Sequence, residues 1–506
     1  MRTHAALMLA CCACAGPEIS DDPDELHHNV LSDPRLQREA LLEHLVALEA
    51  AALSNGGHRA VGSPGYQASV DHVVHTLEAL GLEPWLEPFD VREFEALGAL
   101  LQADAGTLSL GEDLSVLTWS AEADVQALLR PVDLQVPPPE VANTSTSGCE
   151  AEDFGGFPAG SIALLQRGGC TFADKVRQAQ AAGALGVVLF NEGQEGRRST
   201  LEGALEPDDL PAIPVVGVSF ERGLALADQI DPIRLRVQAS IERTPTVNVL
   251  VDLPGDTGRH WLVGAHLDSV RAGPGINDNG TGVASLLALA ARLVDLPADG
   301  RHGVRLAFWG AEEVGLVGSL HHAGSLEEAG DTATLGNLNF DMIGSPNPVR
   351  FVYDSDDSTG EGIGGLVLAP ASAELEARFT DHLDARGLPH LPMILEGRTD
   401  YVGFSRLGLP IGGTFTGAEQ RKSLDEASAF GGSANQAYDP CYHRACDRVD
   451  NVDLAVLEEL TIAAADVIEQ VIPADRALAR RGPPSPSVAL PTQVNASCHA
   501  HDPLVR

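Results

Sequence analysis

Lysine is nearly missing from this chain of 506 residues: Lys175 and Lys422 are the only two, and every other basic residue is an arginine. That bias reads as codon usage or solubility rather than function. Acidic residues outnumber basic ones 72 to 33, a formal charge of −39. Such a balance excludes nucleic acid and anionic membrane surfaces as partners, because phosphate binding needs clustered Lys and Arg. No apolar run approaches the roughly 20 residues that a membrane-crossing helix requires. A GxSxG elbow is also missing, which disfavours a serine hydrolase, and no His-Glu pair exists to open a HExxH zinc protease motif.

What is present is ample apolar material, 44% of residues. The chain is too long for one ordinary core, so two domains plus tails are expected. Residues 1–18 have the proportions of an export signal, with Arg2, a short apolar stretch from Ala5 to Ala10, and then Cys11, Cys12 and Cys14. Leu9-Ala10 before Cys11 and Cys12 looks like a bacterial lipoprotein signal, so the chain is expected to be exported and either secreted or anchored to a membrane through an N-terminal lipid. Ser20 to Asn29 reads as a polar spacer.

Five cysteines follow the signal. In an oxidising compartment Cys441 with Cys446 and Cys149 with Cys170 are the natural pairs, which leaves Cys498 odd. The short loop encloses His443, so a bridge there would fix that imidazole.

Helices are expected from about Pro34 to Leu53 and from about Tyr66 to Gly81, the second carrying Val70, Val73, Val74, Leu77 and Leu80 at helical spacing. Leu82 to Val91 reads as a strand. Residues 125–237 differ in character and form a self-contained piece: strand Ile162 to Leu165, helix Thr171 to Ala182, strand Val187 to Phe190, and another short strand framed by Pro211 and Pro214. From Thr246 onward the pattern alternates: strand Val247 to Leu253, strand Trp261 to Leu267, helix Gly282 to Val294, strand Val304 to Trp309, a helix after Gly315, and strand Leu338 to Met342. This predicts an α/β fold with helices on both faces of a mixed, mostly parallel sheet, assembled from residues 33–124 and 238–480, with 125–237 inserted and 481–506 a disordered tail.

In such sheets, sites form at the carboxyl ends of strands. Five side chains suited to metal sit where apolar runs break into turns: His266 in GAHLDSV, Asp278 in GINDNGTG, Glu313 in WGAEEVG, Asp341 in NFDMIG and His443 in CYHRAC. Two imidazoles and three carboxylates suit zinc, and a bridging carboxylate would let them hold two ions with a position left for water. Asp268 is placed to orient His266. Glu312 is a second acid beside Glu313, available as a general base. Asp341 ends a buried-looking strand, where an unpaired carboxylate is costly unless a cation meets it. Tyr442 could donate to a developing oxyanion.

These segments resemble metallopeptidase family 28, the double-zinc aminopeptidases of the Streptomyces type. The likeness covers NGGHRAVGSPGYQASVDHV, HLDS, GINDNGTG, WGAEEVGLVGS, NFDMIGSPNPVRFVYD, GRTDY, GLPIGGTFTGAE and CYHRACD, all in order. IALLQRGGCTFADKVRQAQAAGALGVVLFNEG resembles the protease-associated domain that some relatives carry. The resemblance implies a three-layer zinc-exopeptidase fold holding two Zn2+ per chain, with Asp278 as the bridge, His266 and Asp341 on one ion and Glu313 and His443 on the other. It further implies Glu312 as general base, Tyr442 as oxyanion donor, Asp268 as support, Arg398 near the substrate amine, and Met342 and Phe415 near the side-chain pocket. The partner would be a peptide with a free N-terminus. A carboxypeptidase, a glutaminyl cyclase or a non-catalytic binding ectodomain on the same fold are the alternatives.

Overall fold

The computed structural model describes residues 30–475, apart from 105, 112, 206–209 and 361–365. The export signal, the spacer, Cys498 and the 481–506 tail lie outside these residues. Two compact units emerge, one built from the chain up to Glu87 and again from Asn248, the other from Pro88–Val247. The chain crosses between them inside the long strands Trp85–Ala103 and Ile233–Leu253.

The first unit is built on a sheet with the strand order Leu391–Met393, Phe351–Tyr353, Ile411–Phe415, Thr334–Phe340, His260–His266, Gly303–Trp309 and the last part of Ile233–Leu253. His260–His266 is central, parallel to both of its neighbours, and Thr334–Phe340 is also parallel to Ile411–Phe415. Antiparallel pairs occur where Ile411–Phe415 meets Phe351–Tyr353 and where Gly303–Trp309 meets Ile233–Leu253. The central strand is apolar in succession because both faces are covered. Trp261 turns its indole to the carbonyl of Val471 in helix Leu454–Val471, at 3.0 Å. Leu262 instead joins Ala307, Trp309, Leu316 and Phe404 on the face covered by helices Val317–Glu328 and Val402–Arg406. Helix, sheet and helix make three layers, as the alternating pattern predicts.

Several boundaries differ from the sequence reading. The strand expected over Leu82–Val91 begins only at Trp85 and runs on to Ala103, and Val247–Leu253 is the end of a much longer strand. Thr334–Phe340 stops before Asp341, leaving Asp341 and Met342 in the turn that follows, with Met342 at φ 49°. The strand expected between Pro211 and Pro214 begins after the second proline, at Val215–Val218, since proline has no N–H for a ladder.

The second unit holds a five-stranded sheet in the order Leu114–Val116, Val215–Val218, Gly186–Phe190, Ile162–Gln166, Leu129–Pro131. Helices Phe172–Ala181 and Phe220–Ala227 are capped by the hydroxyls of Thr171 and Ser219. Cys149 and Cys170 are joined in this unit, and Lys175 is buried beside them, donating to the Ser147 carbonyl at 2.5 Å.

Candidate metal centre

Parallel strands bring their carboxyl ends to one rim of the first unit. His266 is the last residue of its strand and pairs in register with Trp309, the last of its own. After Trp309 the chain turns sharply through Gly310 and Ala311, the latter at φ 62°, and presents Glu312 and Glu313. Asp341 follows Phe340 directly on the other neighbouring strand. Asp278 comes from the turn Ile276–Gly280 that leads into helix Thr281–Leu293. Asn279 accepts the Gly282 N–H at 2.9 Å, so the role of helix cap falls to it and not to Asp278. His443 sits at φ 56° in the loop closed by the Cys441–Cys446 disulfide.

The five side chains converge as two triads that share Asp278. His266 Nε2 lies 3.1 Å from Asp278 Oδ1 and 3.3 Å from Asp341 Oδ1. His443 Nε2 lies 3.2 Å from Asp278 Oδ2 and 3.0 Å from Glu313 Oε2. Each triad offers one nitrogen and two oxygens, and Asp278 gives a different oxygen to each. Donors held at ~2.0–2.1 Å around a tetrahedral ion stand roughly 3.3 Å apart, so these separations suit ligands of a common cation. A third acidic group, Asp354, Asp356 and Glu376, contains no imidazole, and donors from Ser358 and Thr359 already occupy the Asp354 oxygens.

Glu312 belongs to neither triad. Its carboxylate is 3.9 Å from His266 Nε2, and it is almost fully buried. Asp268 lies past the strand end, where the two-residue strand period no longer applies; it stands 3.6 Å from His266 Nδ1. Its oxygens also accept the backbone N–H of Glu312 at 3.1 Å and of Glu313 at 3.3 Å, so it holds the acidic turn. Tyr442 stacks on the His443 ring with centroids 3.8 Å apart. Arg398 points one nitrogen at the Tyr442 hydroxyl, 3.4 Å away, and another at Glu419 Oε1, 3.0 Å away. Met342 is buried, and Phe415 is half-buried and stacked with Phe351.

Crowding of acids governs the electrostatics. Burial pushes the Glu312 carboxyl well above the usual range, and burial with the charge of Asp278 raises Glu313 to about 7. Burial works the same way on Asp278, but hydrogen bonds from His266 and His443 prevail and hold it low. Burial disfavours the charged imidazoles, yet Asp278 and Glu313 outweigh it and lift His443 to about 10. Carboxylates this dense demand cations.

Three further groups support the rim. Asp447, inside the quoted CYHRACD, is buried and accepts the N–H groups of Asn277 at 2.8 Å and Asp278 at 3.1 Å. Thr399, inside GRTDY, donates to Asp341 Oδ2 at 2.6 Å and receives Asn339 Nδ2 at 3.0 Å. Asp400 is fully buried, and burial raises its carboxyl to about 7. An acid or hydroxyl inside a motif already quoted was the available signal.

Comparison with known proteins points to a peptidase family. Residues 248–468 match peptidase family M28, and residues 136–226 match the PA domain. An aminopeptidase of Pseudomonas aeruginosa is 42% identical over 431 residues, covering 84% of this chain and 78% of that protein. A probable lipoprotein aminopeptidase of Mycobacterium tuberculosis, LpqL, is 38% identical over 427 residues, covering 84% and 82%. Among solved structures, an aminopeptidase from Aneurinibacillus sp. strain AM-1 superposes with a TM-score of 0.59 at 24% identity, covering 90% of this chain and 98% of that one, which supports the fold.

Proposed function

This chain belongs to peptidase family M28 and is a peptidase; on that premise we propose that it is a two-zinc aminopeptidase that removes the N-terminal residue from peptides. One observation carries the reading: Asp278 offers its two oxygens to two separate imidazole–carboxylate clusters. His266, Asp278 and Asp341 would hold one ion, and Asp278, Glu313 and His443 the other. Zinc bound there supplies Lewis-acid polarisation of the peptide carbonyl and a lowered water pKa.

The protein's own groups perform the remaining work. Glu312, next to the triads but outside both, takes a proton from the attacking water as the carbon–oxygen bond forms. It returns that proton to the leaving nitrogen when the carbon–nitrogen bond breaks. Tyr442 donates its hydroxyl hydrogen to the oxyanion of the tetrahedral intermediate. The stacked His443 ring and the Arg398 nitrogen near its oxygen fix the direction of that phenol. Acidic groups near Glu312 and Asp341 would hold the substrate's N-terminal ammonium, the contact that makes the enzyme an exopeptidase.

The lipoprotein relative and the Cys11–Cys12 signal support export, with attachment by an N-terminal lipid. Among the described residues, no helix is long and apolar enough to cross a membrane.

Leucine p-nitroanilide, its N-acetylated form and a leucyl tripeptide test the proposal. Release of nitroaniline from the free amine only, and of leucine first from the tripeptide, is expected. Equal cleavage of the acetylated anilide, or release of the C-terminal residue first, overturns it.

A further inference from the structure

A single buried arginine ties down the loop from which the centre is built. Arg59 lies between the helices Arg38–Leu53 and Pro64–Ala79 and has no exposed surface. Its guanidinium donates to three backbone carbonyls: Leu267, Pro274 at 2.8 Å and Gly275 at 2.5 Å. Its own N–H donates to Ser269 Oγ at 2.9 Å, and the Ser269 N–H donates to the Arg59 carbonyl at 3.3 Å. All of these partners belong to residues 267–275, which begin right after His266 and end just before the turn that carries Asp278.

That loop does more than connect. Asp268 accepts the N–H groups of Glu312 and Glu313, and the Val270 N–H donates to Glu313 Oε1 at 3.1 Å. The packing is tight at its end. Gly275 adopts φ 65°, and a Cβ there would stand 2.4 Å from the Asp278 carbonyl oxygen and 3.2 Å from Arg59 Nη2. A planar fork of N–H donors can satisfy carbonyls at both ends of a loop at once, which a lysine ammonium cannot match. Burial disfavours the charged guanidinium, and Asp268, Asp447, Asp278 and Glu313 offset that effect in part.

We propose that Arg59 is a positioning residue of the metal centre, clamping residues 267–275 so that Asp278 and the Glu312–Glu313 turn are held ready for their ions. This inference rests on the two-zinc reading.

Zinc titration of chelator-stripped wild type, Arg59→Met and Arg59→Lys tests it, with thermal unfolding in chelator measured in parallel. Supports of metal ligands typically alter affinity by roughly 10- to 100-fold. Arg59→Met should weaken zinc binding within that range, and Arg59→Lys should weaken it by about tenfold or more although the charge is kept. Excess zinc should restore turnover in Arg59→Lys. Variants that melt earlier in chelator but bind zinc as wild type does would make Arg59 merely structural and overturn the proposal, as would wild-type affinity in Arg59→Lys. Should neither variant fold, Ser269→Ala, which removes one anchor of Arg59, should weaken zinc by roughly threefold or more, and unchanged affinity there would also overturn it. A wild-type protein that binds no zinc contradicts the two-zinc reading instead.

Discussion

Replacing both Cys441 and Cys446 by serine should separate fold stability from metal affinity. The bridge spans a sequence separation of 5, and the loop-entropy model assigns so short a closure only about 2 kcal/mol. Hydrogen bonds inside the loop survive the change: Arg444 N–H to the Cys441 carbonyl at 2.9 Å, Asp447 N–H to the Arg444 carbonyl at 3.0 Å, and position 441 N–H to Asp439 Oδ1 at 2.8 Å. The protein should therefore stay folded. His443 is another matter, because its backbone sits at φ 56°, a conformation that disfavours a side chain by about 1–2 kcal/mol. The closed loop holds it there. Without closure, that energy is available to draw the imidazole away from Asp278 and Glu313, and 1–2 kcal/mol corresponds to a factor of roughly 5–30 in affinity. Calorimetric zinc titration should show one ion weakened by that factor and the other nearly unchanged, with turnover partly restored by excess zinc. Two ions bound at wild-type affinity with wild-type turnover would refute the reasoning and leave the disulfide as a simple staple.

Glu312→Gln preserves shape but removes the base, so zinc content should be kept while kcat falls by at least ~10²-fold; loss of metal, or full activity, would contradict the assigned role. Tyr442→Phe should lower kcat by roughly 10²- to 10³-fold with little change in KM, and steady-state kinetics on leucine p-nitroanilide would reveal a KM effect if the hydroxyl served binding instead. In chelator, the melting temperature should fall as the pH rises from about 6.5, where the unfolded histidines are already half deprotonated, to about 8. Burial raises Asp447 to about 8 and both Glu313 and Asp400 to about 7, so the folded chain keeps protons that the unfolded chain has released. Their stabilisation is complete below the ordinary carboxylate range and lost through these raised values, and saturating zinc should reverse the trend. A chelated protein that grows more stable over this interval would contradict it.

The rim was legible in the sequence because each of its members interrupts an apolar run. His266, Glu312, Glu313 and Asp341 stand where strands end, and a parallel sheet brings such ends together whatever the loops between them do. Arg59 was not singled out because its partners are 208 to 216 residues away and are backbone carbonyls, which no side-chain pattern announces. Asp447 is similar, since its partners are the N–H groups of a turn more than 160 residues earlier. The strands Trp85–Ala103 and Ile233–Leu253 were read in part only: their burial changes along their length, so no one period runs through them. Helix Leu454–Val471 is largely buried and apolar, so it lacks a wide polar face, and it was not placed from sequence.

The central claim is that Asp278 joins two zinc sites that work together. Zinc titration of chelator-stripped wild type and Asp278→Ala, with leucine p-nitroanilide turnover followed at each addition, tests it most directly. Wild type should bind two ions per chain and gain activity as they fill, and Asp278→Ala should lose affinity at both sites and be inactive. A wild type that is fully active without metal, or an Asp278→Ala variant that binds two zincs as tightly as wild type, would contradict the account.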